Sequence, residues 1–306
     1  MKIAVITPIN HLPGVNELIE SKGEVFYLES SSKNSVRNLL LKNKIDVIIC
    51  NPNQQDYKID AELLNDSNVS LINTCSTGMN HIDVNYCEEK NIKIFSLTKD
   101  FELIKNLPST SELAFGLMMS LLRKIPESIN HVKDYKWDYL PFLGRQVMDL
   151  KIGIVGHGRL GQFMETFCKA FNAKVFIFDP YKDSSNINSI EELFKVCEVV
   201  SLHVHVNKET TNMINKNVLL CAKKPVYLIN TSRGEIVNEL DVIDALKSGK
   251  LSGYGTDVIE DEFGSINNSP IIKGMNEGLN IIVTPHTGGM TIEGQTKAYK
   301  WAINKL

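Results

Sequence analysis

The sequence lacks most of the features that mark nucleic-acid, membrane or disulfide-stapled proteins. Its 306 residues carry 33 basic and 36 acidic side chains, a formal charge of −3. So even a balance gives no electrostatic footprint for DNA, RNA or an anionic membrane surface. The six cysteines, Cys50, Cys75, Cys87, Cys168, Cys197 and Cys221, include no C-x-x-C pair. That removes the usual zinc and redox patterns and leaves free buried thiols in a reducing compartment as the plain reading. The most apolar segment, around Leu113 to Leu122, falls far short of the roughly 20 residues needed to span a bilayer. The opening MKIAVITPINHLPG has no apolar stretch of the secretory kind, so a soluble, cytoplasmic protein is expected. Arginine is scarce too: only Arg37, Arg123, Arg145, Arg159 and Arg233 occur. Where this lysine-rich chain keeps an arginine, a planar two-pronged cation is a candidate requirement.

What is present is an ordinary globular composition, 43% apolar and 23% charged, in a chain long enough for about two domains. Short β-branched runs alternate with amphipathic segments: IAVIT, EVFYL, IDVIIC, VSLINT and IKIFS, with SVRNLLLKN and AELLNDS between them. This alternation predicts parallel strands with crossover helices, an α/β layer ending near residue 100. A long helical stretch follows, STSELAFGLMMSLLRKI and a polar continuation to Tyr135, then the loop WDYLPFLGRQVMDL. The alternation restarts at KIGIVG and runs through KVFIF, EVVSLHV, VYLIN, LSGYGTD and NIIVTP. Two α/β units in tandem are the economical reading.

The most informative segment is KIGIVGHGRLGQFMETFCKAFNAKVFIFDP. Gly156, Gly158 and Gly161 form G-x-G-x-x-G directly after an apolar strand, and Leu160, Phe163, Met164, Phe167 and Phe171 recur at helical spacing. In a dinucleotide-binding turn the first glycine permits the tight turn, the second lets backbone approach the pyrophosphate, and the third lets helix and strand pack closely. After the next strand comes Asp179, placed where an acid accepts hydrogen bonds from the adenosine ribose. With no arginine in FDPYKDSSN to neutralise a 2′-phosphate, NAD(H) is expected over NADP(H); Lys182 is the one close cation.

Two further residues follow strands at their carboxyl ends, where α/β sheets bind ligands. Arg233, in NTSRGE, suits a carboxylate or ketone because its fork donates parallel hydrogen bonds and it does not lose its charge. His286, in TPHTGG, suits a proton donor to a forming alkoxide. Taken singly, Arg233 equally suits a surface ion pair and His286 a hydrogen-bonded loop position.

Together, NTSRGEIVNELDVIDAL, GTDVIEDE, TPHTGG and GHGRLG closely resemble the D-isomer-specific 2-hydroxyacid dehydrogenase family, and CSTGMNHID and STSELAFGLMMSLLR extend the resemblance upstream. It implies two Rossmann-like domains with parallel sheets and an interdomain cleft. It assigns residues 1–102 with 288–306 to the substrate-binding domain and 103–287 to the NAD-binding domain, and implies closure about the two crossings. It implies a catalytic Arg233, Glu262 and His286. Glu262 is preferred to Glu260 because the family places this acid five residues after the Asp that here is Asp257. Glu262 then fixes the imidazole tautomer and favours its charged form. Along NAD the resemblance implies Gly156, Gly158, Arg159, Leu160, Gly161, Asp179, His203, Thr231 and Asp257, the last on the nicotinamide amide. Around a small 2-keto or 2-hydroxy acid it implies Asn51, Ser76, Thr77, Gly78 and Arg233, the amides of Thr77 and Gly78 holding the carboxylate.

The chain departs from the family in places. His205 replaces a proline in SLHVHV, and Asn80 with His81 departs from the common Asp-Asn. His203 and His205 share a strand face as metal ligands can, but no cysteine or paired carboxylate completes a site, so no metal is expected. The amide-rich Asn51, Asn53 and Gln54 are expected to face the cleft and favour substrates with hydroxyls beyond C2. The run LAFGLMMSLL exceeds what one helix stripe needs, which points to a homodimer built on Ser109 to Tyr135. The family also contains transcriptional corepressors that retain the triad, so an NAD(H)-responsive binding protein is the alternative to an enzyme.

Overall fold

A computed structural model describes residues 1–28, 32–52, 57–262 and 264–306. The chain divides into two compact units, Met1–Leu107 with Gly289–Leu306, and Pro108–Gly288. The helix Phe101–Ile104 contacts the last helix, Ile292–Ile303, which draws the division a few residues past the expected position 102.

In the first unit, β1 (Lys2–Val5), β2 (Glu24–Tyr27), β3 (Val47–Cys50), β4 (Leu71–Thr74) and β5 (Lys93–Phe95) form one sheet in the order β2-β1-β3-β4-β5, with every pair parallel. All four residues of β3 are buried, as expected of a central strand covered on both faces. One face packs Ile3, Val5, Val47 and Ile49 against Tyr299, Ala302 and Ile303 of the last helix. The other packs Ala4, Ile48 and Ile72 under Val36, Leu40 and Leu63.

The second unit holds β6 (Lys151–Val155), β7 (Lys174–Phe178), β8 (Val199–Leu202), β9 (Val226–Asn230), β10 (Leu251–Thr256) and β11 (Ile281–Val283) in the order β11-β10-β9-β8-β6-β7, again all parallel. From β6 the chain builds outward to β7, then returns to place β8 on the other side. The carboxyl end of β6 is therefore a topological switch point, where doubly wound sheets hold their ligands. All eleven strand segments of the sequence reading are present.

The stretch after residue 108 is two helices, Ser109–Leu122 and Ile125–Lys133. Pro126 has no amide to continue the upstream ladder and its ring would meet the carbonyl of Leu122, so the chain turns at Lys124, whose φ is 51°. The apolar run LAFGLMMSLL mostly covers its own unit: Ala114, Leu117, Met118, Leu121 and Leu122 are buried against Ile152, Ile154 and Ile229. The surplus attributed to that run lies instead beyond it, at Ile125, Ile129 and Val132 and at Trp137, Tyr139, Leu140 and Leu143, all exposed.

Candidate active site

The glycine loop has the form its spacing predicts. Gly156 has φ 87°, a left-handed conformation, and a Cβ there would sit 2.5 Å from the His203 carbonyl oxygen. A Cβ at Gly161 would sit 2.1 Å from the Gly156 carbonyl, so this glycine lets the helix Arg159–Ala170 start hard against the loop. Gly158, the residue before that helix, is different: a Cβ there meets nothing within 4 Å. Its backbone opens onto free space at a helix N-terminus, the arrangement that receives a pyrophosphate. Arg159 and Leu160 occupy the first helical positions, and burial lowers the Arg159 pKa. Ser111 anchors the turn by donating to the Leu160 carbonyl at 2.8 Å.

Asp179, one residue past β7, is buried at 8% exposure. Its Oδ2 accepts from the His157 amide at 2.7 Å and its Oδ1 from the Tyr181 amide at 3.0 Å. On the opposite side of β6, His203 and His205 follow β8 in a loop and are not part of the strand, because pairing with β6 ends at Leu202. His203 hydrogen-bonds Ser201 Oγ through Nε2 at 2.9 Å, while its buried Nδ1 has no partner among the described residues. Burial brings its pKa down to about 4, so the ring is neutral at physiological pH. Thr231 Oγ1, just past β9, is likewise buried without a partner among the described residues. Orphaned polar atoms are uncommon in folded proteins. Two of them beyond the ends of β8 and β9, beside the open backbone at Gly158 after β6, fit a dinucleotide along this sheet edge.

Beyond β9, β10 and β11 the same edge carries the candidate catalytic residues. Asn230 shapes the first turn: its Nδ2 donates to the Arg233 carbonyl at 2.9 Å and its Oδ1 accepts from the Ser232 amide at 3.0 Å. Arg233 spends Nη1 on the Ser232 carbonyl at 2.7 Å, which leaves the other guanidinium N–H groups for a ligand. Gly234 packs against the segment after β10 so tightly that a Cβ would overlap the Ile259 carbonyl. His286 has φ 52°, an unusual conformation for a residue with a side chain, and its Nδ1 lies 2.7 Å from Glu262 Oε2. The two side chains remain 31% and 24% exposed, open enough to meet a substrate.

Two carboxylates support this edge, and the sequence reading named only the first of them. Asp257, expected on the nicotinamide amide, is 2% exposed and binds the turn that carries His286. It accepts from Thr284 Oγ1 at 2.5 Å, the Thr287 amide at 2.8 Å and the Gly288 amide at 2.7 Å. Glu239 accepts from the Glu260 amide at 2.9 Å and from Ser269, anchoring the segment that leads to Glu262. Burial raises its pKa. An acid at the start of a helix, in NEL, carried no sign of this long-range role.

In the first unit, Ser76 donates to the Gly78 carbonyl at 2.8 Å and the Thr77 carbonyl accepts from Thr98 at 2.9 Å, which fixes the turn after β4. Asn51, just past β3, is buried and hydrogen-bonded to Tyr299, whose hydroxyl also meets Thr7 at 3.2 Å. Asn53 and Gln54 lie outside the described residues.

Comparison with known proteins identifies the family of the chain. The family model for the D-isomer specific 2-hydroxyacid dehydrogenase catalytic domain matches residues 3–100, and that for its NAD binding domain matches residues 115–288. Hydroxypyruvate reductase of Thermotoga maritima is 28% identical over 95% of this chain and 92% of its own length. D-3-phosphoglycerate dehydrogenase of Haemophilus influenzae is 32% identical over 71% of this chain. The chain spans about half the length of the phosphoglycerate dehydrogenases it matches. Among solved structures, D-lactate dehydrogenase from Aquifex aeolicus, complexed with NAD and lactic acid, superposes with a TM-score of 0.80 at 26% identity, covering 100% of this chain and 94% of that one. With both units matched and a dinucleotide loop in the second, the chain belongs to the D-isomer-specific 2-hydroxyacid dehydrogenase family of NAD-dependent oxidoreductases.

Proposed function

We propose that the protein interconverts a small 2-keto acid and its D-2-hydroxy acid, with His286 as the acid/base and Arg233 as the residue that orients the substrate. The observation that carries this reading is the 2.7 Å contact between His286 Nδ1 and Glu262 Oε2 on the sheet edge that also presents Arg233. NADH held along the glycine loop would supply the hydride for C2 of the substrate. Arg233 donates to the carboxylate and the carbonyl oxygen, drawing electron density from C2. Glu262 accepts from Nδ1 and so leaves Nε2 as the nitrogen that gives its proton to the oxygen as hydride arrives; in oxidation Nε2 takes that proton back. Asp257 and Glu239 keep the two partners aligned by fixing their backbones.

Ser76 and the amides of Thr77 and Gly78 hold the substrate carboxylate, and Asn51 meets the far end of a polar acid. On the cofactor side the glycine loop holds the pyrophosphate. Asp179 accepts from the ribose hydroxyls and disfavours a 2′-phosphate by charge repulsion, so NAD(H) is preferred. The exposed row Ile125, Ile129 and Val132, at helical spacing and followed by Trp137 at 92% exposure, supports a homodimer built on this surface and not on the preceding helix.

The test is His286→Ala. Loss of about two to four orders of magnitude in turnover with a keto acid, with NADH binding retained, is the expected result for a missing general acid. Near-wild-type turnover would overturn the assignment.

A further inference from the structure

The G-x-G-x-x-G pattern leaves the residue between its first two glycines unspecified. Here it is His157, whose side chain is about as buried as a core residue, 10% exposed, and held at both nitrogens. Nδ1 lies 2.6 Å from Ser184 Oγ, in the loop that follows β7 and Asp179. Nε2 lies 2.8 Å from Oε2 of Glu165, two turns into the helix after the glycine loop. Oε1 of Glu165 is in turn held by Lys169 at 2.6 Å. Burial opposes ionisation of Glu165, but hydrogen bonds from Lys169 and His157 keep its pKa below the ordinary value. An ionised Glu165 only accepts, so Nε2 carries a proton. Ser184 can donate to Nδ1 of a neutral ring or accept from a charged one, and the bridge is satisfied either way.

This imidazole joins three segments that surround Asp179: the glycine loop, the helix behind it, and the loop that ends in Ser184 and Ser185. Ser185 Oγ accepts from the Asp179 amide at 3.3 Å. The backbone of His157 itself donates to Asp179 Oδ2, so any shift of the ring moves the amide that aims the carboxylate. An ionised carboxylate has about four acceptor positions. The amides of His157 and Tyr181 take two of them, which leaves two for the two vicinal hydroxyls of a ribose.

We infer that His157 is a positioning residue for recognition of the cofactor's adenosine ribose, clamping Asp179 so that its remaining lone pairs meet a cis-diol. The inference rests on the proposed role of Asp179 as the ribose acceptor, and the experiment separates the two. Purified full-length protein is titrated with NADH and with its 2′-deoxyadenosine analogue, following NADH fluorescence, and the ratio of the two dissociation constants is the readout. Wild type binds the analogue at least about tenfold more weakly, the loss of one charge-assisted hydrogen bond. In His157→Leu the ratio falls to within about threefold, whereas His157→Gln, which donates to Glu165 and accepts from Ser184, keeps most of it. Ser184→Ala, which leaves the buried ring in place, lowers the ratio by a smaller factor and decides the matter if His157→Leu does not fold. A purely structural histidine predicts a lower melting temperature with the ratio unmoved in both variants, and that result overturns the inference. Asp179→Ala abolishes the ratio if the ribose assignment holds. If Asp179→Ala retains the wild-type ratio, the ribose assignment fails and the clamp fails with it. Loss of the ratio in Asp179→Ala but not in His157→Leu or Ser184→Ala overturns the clamp alone.

Discussion

Alanine at either of two glycines in one loop separates cofactor binding from folding. At Gly158 the backbone is extended, with φ −72° and ψ −165°, so alanine fits without strain, and its methyl meets nothing within 4 Å. Lower chain entropy in the unfolded state favours Gly158→Ala by about 0.4–1 kcal/mol. Alanine is a poorer residue than glycine just before a helix, which opposes that gain by a similar amount. The melting temperature is therefore expected to stay within about 2 °C of wild type. With the pyrophosphate placed as proposed, the methyl nevertheless fills the space through which a phosphate oxygen would approach the loop amides. One lost charge-assisted hydrogen bond, about 1.5–3 kcal/mol, weakens NADH by roughly 10- to 150-fold. Gly161→Ala behaves the opposite way. Its Cβ would lie 2.1 Å from a backbone oxygen that does not yield cheaply, so helix and loop separate and the melting temperature falls by several degrees, the cost of overpacking being about 1–3 kcal/mol. Fluorescence titration with NADH and thermal melts of the two variants check both halves. Wild-type affinity in Gly158→Ala would refute the placement of the pyrophosphate.

Three further outcomes follow from the geometry. Glu262→Gln keeps a hydrogen-bonding partner for His286 Nδ1 but withdraws the charge, and kcat/KM for keto-acid reduction is expected to fall at least about tenfold with KM for NADH unchanged; equal kinetics would contradict the pairing. His81 is fully buried, and burial brings its pKa down to about 4. Between about pH 6.5 and pH 4 the unfolded chain takes up a proton that the folded chain refuses, so stability is full above that window and lost as pH falls through it, by up to about 3 kcal/mol. In urea melts across that range the advantage of wild type over His81→Gln narrows as pH falls, and a constant difference would exclude the effect. Trp137→Glu combined with Leu140→Glu places charge on the exposed apolar segment, and sedimentation equilibrium is expected to show a dimer for wild type and a monomer for the variant; a monomeric wild type removes the proposal.

The sheets were legible because parallel strands buried on both faces read as continuous apolar runs, VIIC being the clearest. The glycine loop was legible because Gly156 and Gly161 each answer to a separate steric demand, while Gly158 leaves open space before the helix. The helix after residue 108 was read as one element although Pro126 already marked its break. Its apolar run was assigned to a partner because periodicity alone does not distinguish a helix covered on several sides by its own unit from one that docks elsewhere. Asp257 and Glu239 show a different limit. Both hold backbone amides far along the chain, a role that motif position did not signal for either. Such contacts depend on which loops the topology brings to one sheet edge, and no local pattern encodes that.

The most direct test of the central claim is turnover by the purified wild-type protein with NADH and a panel of 2-keto acids, including glyoxylate, pyruvate and hydroxypyruvate, followed by chiral analysis of the product. Oxidation of NADH with at least one of them, yielding the D-2-hydroxy acid wherever the product has a stereocentre, is the result the Arg233, Glu262 and His286 arrangement predicts. NADH binding without turnover on any member of the panel would contradict it and favour a dinucleotide-responsive binding protein, and an L product would contradict the assignment of the reaction.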